Sequence, residues 1–161
     1  CLSAYNAGYL HGAWIDALQD PDDIYSEIAV MLKNSPVADT DPCEDWAIHD
    51  FEDWAGLNIA ENEDIEQIAI NALLIVEHGE AIAAYIRAGY DPEDFEDHYH
   101  GDFEDEEDFA YEMLDQDGTI SALEKMGFNP AYIDLEKYAR DLFCGDFWSA
   151  IVGRHCFVFS A

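Results

Sequence analysis

The stretch YDPEDFEDHYHGDFEDEEDFAYEML, residues 90–114, decides how the whole chain is read. Continued to Asp117, it carries fourteen carboxylates in the 27 residues from Asp91 and no Lys or Arg, the nearest cations being Arg87 and Lys125. A run of one charge is ordinarily a disordered tail. Here Phe95, Tyr99, Phe103, Phe109, Tyr111, Met113 and Leu114 are threaded through it, and such side chains can anchor it to a core. Asp91 and Pro92 form a cap-and-start signature, which predicts a short helix through Phe95 to Tyr99. A second helix is predicted over 105–116, with a break at Asp117 and Gly118. Residues three and four apart on a helix lie about 5 to 6 Å from one another, so Glu93 is expected to stack with Glu96 and Asp97, and Glu104 with Glu107 and Asp108. Like charges so placed cost a few tenths of a kcal/mol per pair. With no interspersed Lys to offset them, a cationic partner is the economical explanation.

Working outward toward the N-terminus, CLSAY, NAG and YLHGAWIDA read as two strands joined by a tight turn. Asp20 and Pro21 open a helix through about Leu32, with Ile24, Ile28, Met31 and Leu32 on one face. SPVADTDP is a loop. DWAIHDFEDW, residues 45–54, alternates well enough to be a third strand. From about Asn62 the period becomes helical: Ile65, Ile68, Ala69, Ala72, Leu73 and Val76 recur, Gly79 punctuates, and a second helix covers 80–87. Toward the C-terminus, a helix opens at Asp134 with Leu135, Tyr138, Ala139, Leu142 and Phe143 inward, and FWSAIV and HCFVFS pair around Gly153. The expected class is α+β, an elongated chain of three small domains. They are a small antiparallel sheet plus helix (1–60), a helical middle (61–101), and a C-terminal part of helices plus a small sheet (102–161).

Composition narrows function. The 161 residues hold 37 Asp and Glu against 6 Lys and Arg, a net charge of −31, yet half of them are hydrophobic. The chain should therefore fold, repel nucleic acid and anionic membranes, and seek basic surfaces. At about one charge per 1.7 Å, the charge of −31 equals that on roughly 50 Å of duplex DNA. A compact protein of this length is about 40 Å across, so the two charge densities are comparable. Adaptation to high salt is the competing explanation.

Cys1, Cys43, Cys144 and Cys156 have neither zinc nor disulfide-framework spacing, and reduced thiols in a cytosol fit best. Cys1 as an N-terminal nucleophile is set aside because LSAYNAG reads as a strand entering a turn. No apolar run is long enough to span a bilayer, and no secretory signal opens the chain. Asp115, Asp117, Gly118, Thr119, Ser121 and Glu124 imitate a calcium loop, but Met113 stands at its first ligand position, so a helix ending at a positive-φ Gly118 is favoured. His98 and His100 suggest a metal pair but are favoured as surface histidines. Trp14, Trp46, Trp54 and Trp148 are read as core rather than as a sugar-binding surface. An acid–base enzyme needs carboxylates distinguished by environment, whereas these look alike, so no catalytic residue, cofactor or metal is assigned.

Four stretches carry a resemblance: YNAGYLHGAWIDA (5–17), EDWAIHDFEDW (44–54), the acidic stretch (90–114) and DLEKYARDLFCGDFW (134–148). In order and spacing they resemble the signature segments of ArdA antirestriction proteins, over nearly the whole chain. The resemblance implies a three-part curved rod of DNA-like width that forms a homodimer through its C-terminal part. It also implies a cytoplasmic, non-enzymatic inhibitor carried on mobile elements. The implied partner is the methyltransferase core, specificity and modification subunits, of type I restriction-modification enzymes. In that family the strand before the first turn starts several residues earlier, so the native chain is expected to be longer there. The expected binding surface is Glu93, Asp94, Glu96, Asp97, Asp102, Glu104, Asp105, Glu107 and Asp108, extended by Asp50, Glu52 and Asp53. The alternative is an acidic inhibitor or chaperone of another basic DNA-binding protein, histones included.

Overall fold

A computed structural model describes residues Cys1–Ala161. The chain divides into two compact units, Cys1–Gly79 and Glu80–Ala161. The boundary falls inside the helical part expected over 61–101. None of the helices is long and apolar enough to cross a membrane.

The N-terminal unit is built on helices α1 (Leu2–Asn6), α2 (Pro21–Lys33) and α3 (Ile65–His78). α2 starts where its chemistry dictates: Pro21 takes the first turn, and the Asp20 carboxylate accepts the Asp22 N–H at 2.9 Å. Asp64 caps α3 in the same way, accepting from Glu66 at 3.1 Å. Ile24 and Ile28 meet Ile59, Ile65 and Ile68 in a small core, with Trp46, Phe51 and Trp54 packed against it.

The expected N-terminal sheet is not formed. Residues 2–6 are helix, and 9–16 and 45–54 hold neither helix nor strand. In the latter, Trp46, Ile48, Phe51 and Trp54 turn inward while their acidic neighbours are exposed. The inward side chains of this segment are held by packing on the core, without a strand partner. Along α3, Leu73 and Val76 of the expected apolar stripe are 60% and 67% exposed, so the core takes only the Ile65–Ile68–Ala72 line.

The C-terminal unit is mixed α+β. Its helices are α4 (Glu80–Arg87), α5 (Phe95–His98), α6 (Glu106–Gln116), α7 (Thr119–Lys125) and α8 (Leu135–Leu142), with 3-10 turns at Pro92–Asp94 and Pro130–Tyr132. Three antiparallel strands, β1 (Tyr99–Phe103), β2 (Phe147–Val152) and β3 (His155–Ser160), lie in the order β1-β3-β2. β3 is central, and Cys156, Phe157, Val158 and Phe159 are all buried. The register aligns Tyr99 and Trp148 with Phe159, and this face meets Tyr85 of α4. On the opposite face Phe109 of α6 packs with Cys156, Val158, Phe103, Phe143 and Phe147. A small sheet is thus covered on both sides by helices, which explains the continuous apolar run in β3.

Candidate partner-binding surface

All twelve carboxylates expected to face a partner are exposed. In the C-terminal unit they are spread over four successive elements. Glu93 and Asp94 sit in the Pro92–Asp94 turn, Glu96 and Asp97 in α5, Asp102 on edge strand β1, and Glu104, Asp105, Glu107 and Asp108 around the start of α6. Aromatic anchors hold these elements down. Phe95 is 1% exposed, stacks on Tyr99 at 4.9 Å between ring centroids and meets Tyr85 edge-on at 5.6 Å. Phe109, 2% exposed, is enclosed by Phe103, Phe143 and Phe147. The acidic stretch is therefore a folded surface.

Two expectations about this stretch are corrected. Glu93 stands in a 3-10 turn while Glu96 and Asp97 are in α5, and Glu104 precedes the cap of α6. Neither set lies within a single α-helix. The repulsion also has an offset. Asp91 accepts the Glu93 N–H at 3.0 Å, and Asp105 caps α6 through the Asp108 N–H at 2.9 Å. The Asp108 carboxylate in turn accepts from the Glu104 N–H at 3.2 Å. Carboxylates in first turns also meet the positive end of the helix dipole. Part of this acidity thus serves the local fold.

β1 was not foreseen, although its alternating Tyr99, Gly101 and Phe103 carry the signal. Its Gly101, at φ +133, makes the bulge against β3, and a Cβ there would come within 3.2 Å of the Phe103 ring. β1 brings Asp102 to His155, whose Nδ1 lies 2.6 Å from the carboxylate oxygen. Glu106, outside the expected set, is half-buried and accepts from the Ser149 hydroxyl at 2.7 Å. Burial, and secondarily Asp102, pushes the Tyr99 hydroxyl above its ordinary range. Tyr85 is raised by burial, with Asp94, Tyr90 and Asp91 adding to it.

In the N-terminal unit, Asp50, Glu52 and Asp53 lie exposed along the 45–54 segment. Asp53 adopts φ +64 and Ala55 φ +49, a left-handed excursion that turns Trp54 into the core beside the exposed Asp53. Asp tolerates that conformation better than most side chains.

The alternative chemistries fare differently. His98 bonds to Ser160 and lies near Tyr85, whereas His100 meets Phe109 and Phe147, so the two rings serve opposite faces of the sheet and cannot share an ion. His98 is partly buried at the end of α5, while His100 is exposed as expected but stands on β1. The calcium-loop positions are divided between α6 and α7, with Gly118 at φ +82 as anticipated. Asp117 there accepts from Thr119, whose hydrogen bonds hold its carboxyl below the usual range. No group of three or more His, Cys, Asp or Glu is gathered to hold a metal. Trp46, Trp54 and Trp148 are core residues, while Trp14 is 65% exposed.

A family profile described as "Antirestriction protein (ArdA)" matches residues 1–154. No curated protein and no solved structure matches the chain.

Proposed function

Because this chain belongs to the ArdA antirestriction family, we propose that it acts as a mimic of DNA, occupying the DNA-binding groove of a type I restriction-modification enzyme. The partner is the methyltransferase core of specificity and modification subunits, and the effect is to protect incoming mobile DNA in the cytoplasm. The chain works as a homodimer through residues 102–161, in the threefold organisation 1–60, 61–101 and 102–161. Its action is stoichiometric, without catalysis.

The observation that carries this reading is the acidic stretch of the C-terminal unit. Its carboxylates, Glu106 apart, are exposed on elements pinned by Phe95 and Phe109, so they hold defined positions as phosphates do. Lys and Arg that normally bind phosphate find hydrogen-bonding anions there, and counterions are released when they do. The test is competition with unlabelled duplex for a purified type I methyltransferase core, repeated across salt. DNA is expected to be displaced, with affinity falling as salt rises. Affinity indifferent to salt between about 50 and 500 mM counts against phosphate mimicry.

A further inference from the structure

The acidic stretch begins beside an exposed aromatic ring, Tyr90, to which phosphate mimicry assigns no part. Gly89, at φ +91, ends α4 and turns the chain so that the Tyr90 N–H reaches back to the Tyr85 carbonyl. The Tyr90 ring is 42% exposed, yet it is firmly seated. It lies 5.0 Å from Trp148 at an interplanar angle of 12°, and 5.0 Å from Tyr85 at 22°. Those two rings stack on each other at 6.0 Å and 19°, and Trp148 continues onto Phe159 at 4.4 Å and 20°. One face of Tyr90 therefore covers a column of near-parallel rings, and its exposure belongs to the other face and the edge. Tyr111, Phe128 and Tyr132 are exposed in the same unit, but no ring is stacked behind any of them.

The column is bordered by charge of one sign. Asp91 follows Tyr90 directly, Glu93 and Asp94 stand in the next turn, and all three are exposed. Asp94, Tyr90 and Asp91 each lie near enough to the Tyr85 hydroxyl to raise its pKa, which places both carboxylates at the same corner as the two tyrosines. Oδ1 of Asp91 accepts the Glu93 N–H at 3.0 Å, leaving Oδ2 for another donor. An aromatic face draws cations, and carboxylates beside it add to that field. A guanidinium fits both features: it is flat enough to stack on the ring while its edge N–H groups reach a carboxylate, whereas an ammonium holds its water more tightly. A tyrosine seated on stacked rings also loses little freedom when it is contacted.

We propose that Tyr90 is a contact residue for an arginine of the partner enzyme, which stacks its guanidinium on the open ring face and turns its N–H groups to Asp91 and Asp94. The carboxylates of the array answer to charge, and Tyr90 adds a preference for a flat cation. This deepens the function proposed above and rests on it for the source of the arginine. The guanidinium site itself stands on the ring column and its two carboxylates.

The intact chain is titrated with a short capped arginine peptide, its lysine counterpart and its citrulline counterpart, which keeps the flat group without the charge, following the Tyr90 ring resonances. The arginine peptide is expected to shift them at severalfold lower concentration than the lysine peptide, and the citrulline peptide not at all. In competition with duplex for the methyltransferase core, Tyr90→Leu is expected to weaken binding about tenfold with an unchanged salt slope, since no charge is removed. Tyr90→Phe keeps the ring and should bind like the parent chain. Equal response to the arginine and lysine peptides overturns the proposal, as does undiminished affinity of Tyr90→Leu, or a loss that comes with a flatter salt slope. A changed oligomeric state in Tyr90→Leu also overturns it, because the ring then faces a second copy. If the parent chain fails to displace duplex, the DNA-mimic reading falls while the peptide titration still decides the guanidinium site.

Discussion

In the C-terminal unit Phe159 is fully buried among Tyr85, Phe95, Tyr99 and Trp148, while in the N-terminal unit Trp54 packs on the core and also lines an open groove. The largest fully buried side chains, Tyr85, Phe95, Phe159, Ile82, Val158 and Cys156, all belong to Glu80–Ala161. The cause is the sheet: β3 is covered on both faces, whereas the segments 10–17 and 46–54 of Cys1–Gly79 have few backbone bonds of their own. A mimic must hold charge at fixed positions before its partner arrives, since ordering it afterwards costs conformational entropy. The densest acidic stretch lies on the better-packed unit.

The comparison breaks most visibly under core truncation. Phe159→Ala is expected to cost about 3–5 kcal/mol. Trp54→Ala should cost clearly less, because its site already opens to water. Denaturant unfolding of both variants measures this, and equal losses would show the units to be packed alike. Cysteine chemistry sharpens the same point. Burial, with Glu106 and Asp105 adding to it, pushes the Cys156 thiol up to about 11, whereas Cys144 is exposed. A thiol reagent at neutral pH should modify Cys144 promptly and Cys156 only as the C-terminal unit opens. Because the thiol is raised in the folded state, its contribution is full below the unfolded value near 9.0 and is lost as pH climbs through about 11.

Much of the C-terminal unit could be read from residues. Local signals were enough for α4, α6, α8 and the β2–β3 hairpin, because caps, glycines and apolar periods all coincide there. β1 was hidden because its five residues sit inside a charge run, and its identity depends on pairing with β3, over fifty residues away. In the N-terminal unit the Asp20–Pro21 signature marked α2, and the helical period from about Asn62 marked α3. Alternation over 45–54 misled, since side chains turned onto the core from a segment without a ladder can imitate the period of a strand. For the binding surface, exposure was legible residue by residue. The Asp102–His155 contact and the capping work of Asp105 and Asp108 were not, because they follow from tertiary register and helix start.

Charge removal tests whether the better-packed unit carries the recognition. Replacing Glu93, Asp97, Glu104 and Glu107 by Gln or Asn should weaken binding to the methyltransferase core by about tenfold or more and flatten its salt dependence. Stability should change by no more than about 0.5 kcal/mol per site. Neutralising Asp50, Glu52 and Asp53 should weaken binding less; the reverse order would move the recognition surface to the N-terminal unit. Asp105 separates fold from field. Asp105→Ala removes the cap and is expected to cost about 1 kcal/mol, whereas Asp105→Asn keeps a capping oxygen and loses only the charge. Urea midpoints should fall for the first variant and hold for the second.

The smallest effect concerns His100, whose ring lies against Phe147 at 5.1 Å and Phe109 at 6.0 Å. Burial, reinforced by neighbouring His98, holds its pKa below the usual 6.5. The folded state thus takes up a proton less readily than the unfolded chain. The associated stability is present above the unfolded value and is lost as pH falls through the depressed folded one. The field of a chain at −31 acts in the opposite direction on the His100 imidazole, but over distances that salt screens. The local depression should therefore emerge as salt is raised, with the His100 ring resonances titrating at lower pH in strong salt than in weak. A His100 titration that stays above 6.5 at high salt would mean that its contact with the aromatic core of the C-terminal unit is looser than these distances imply.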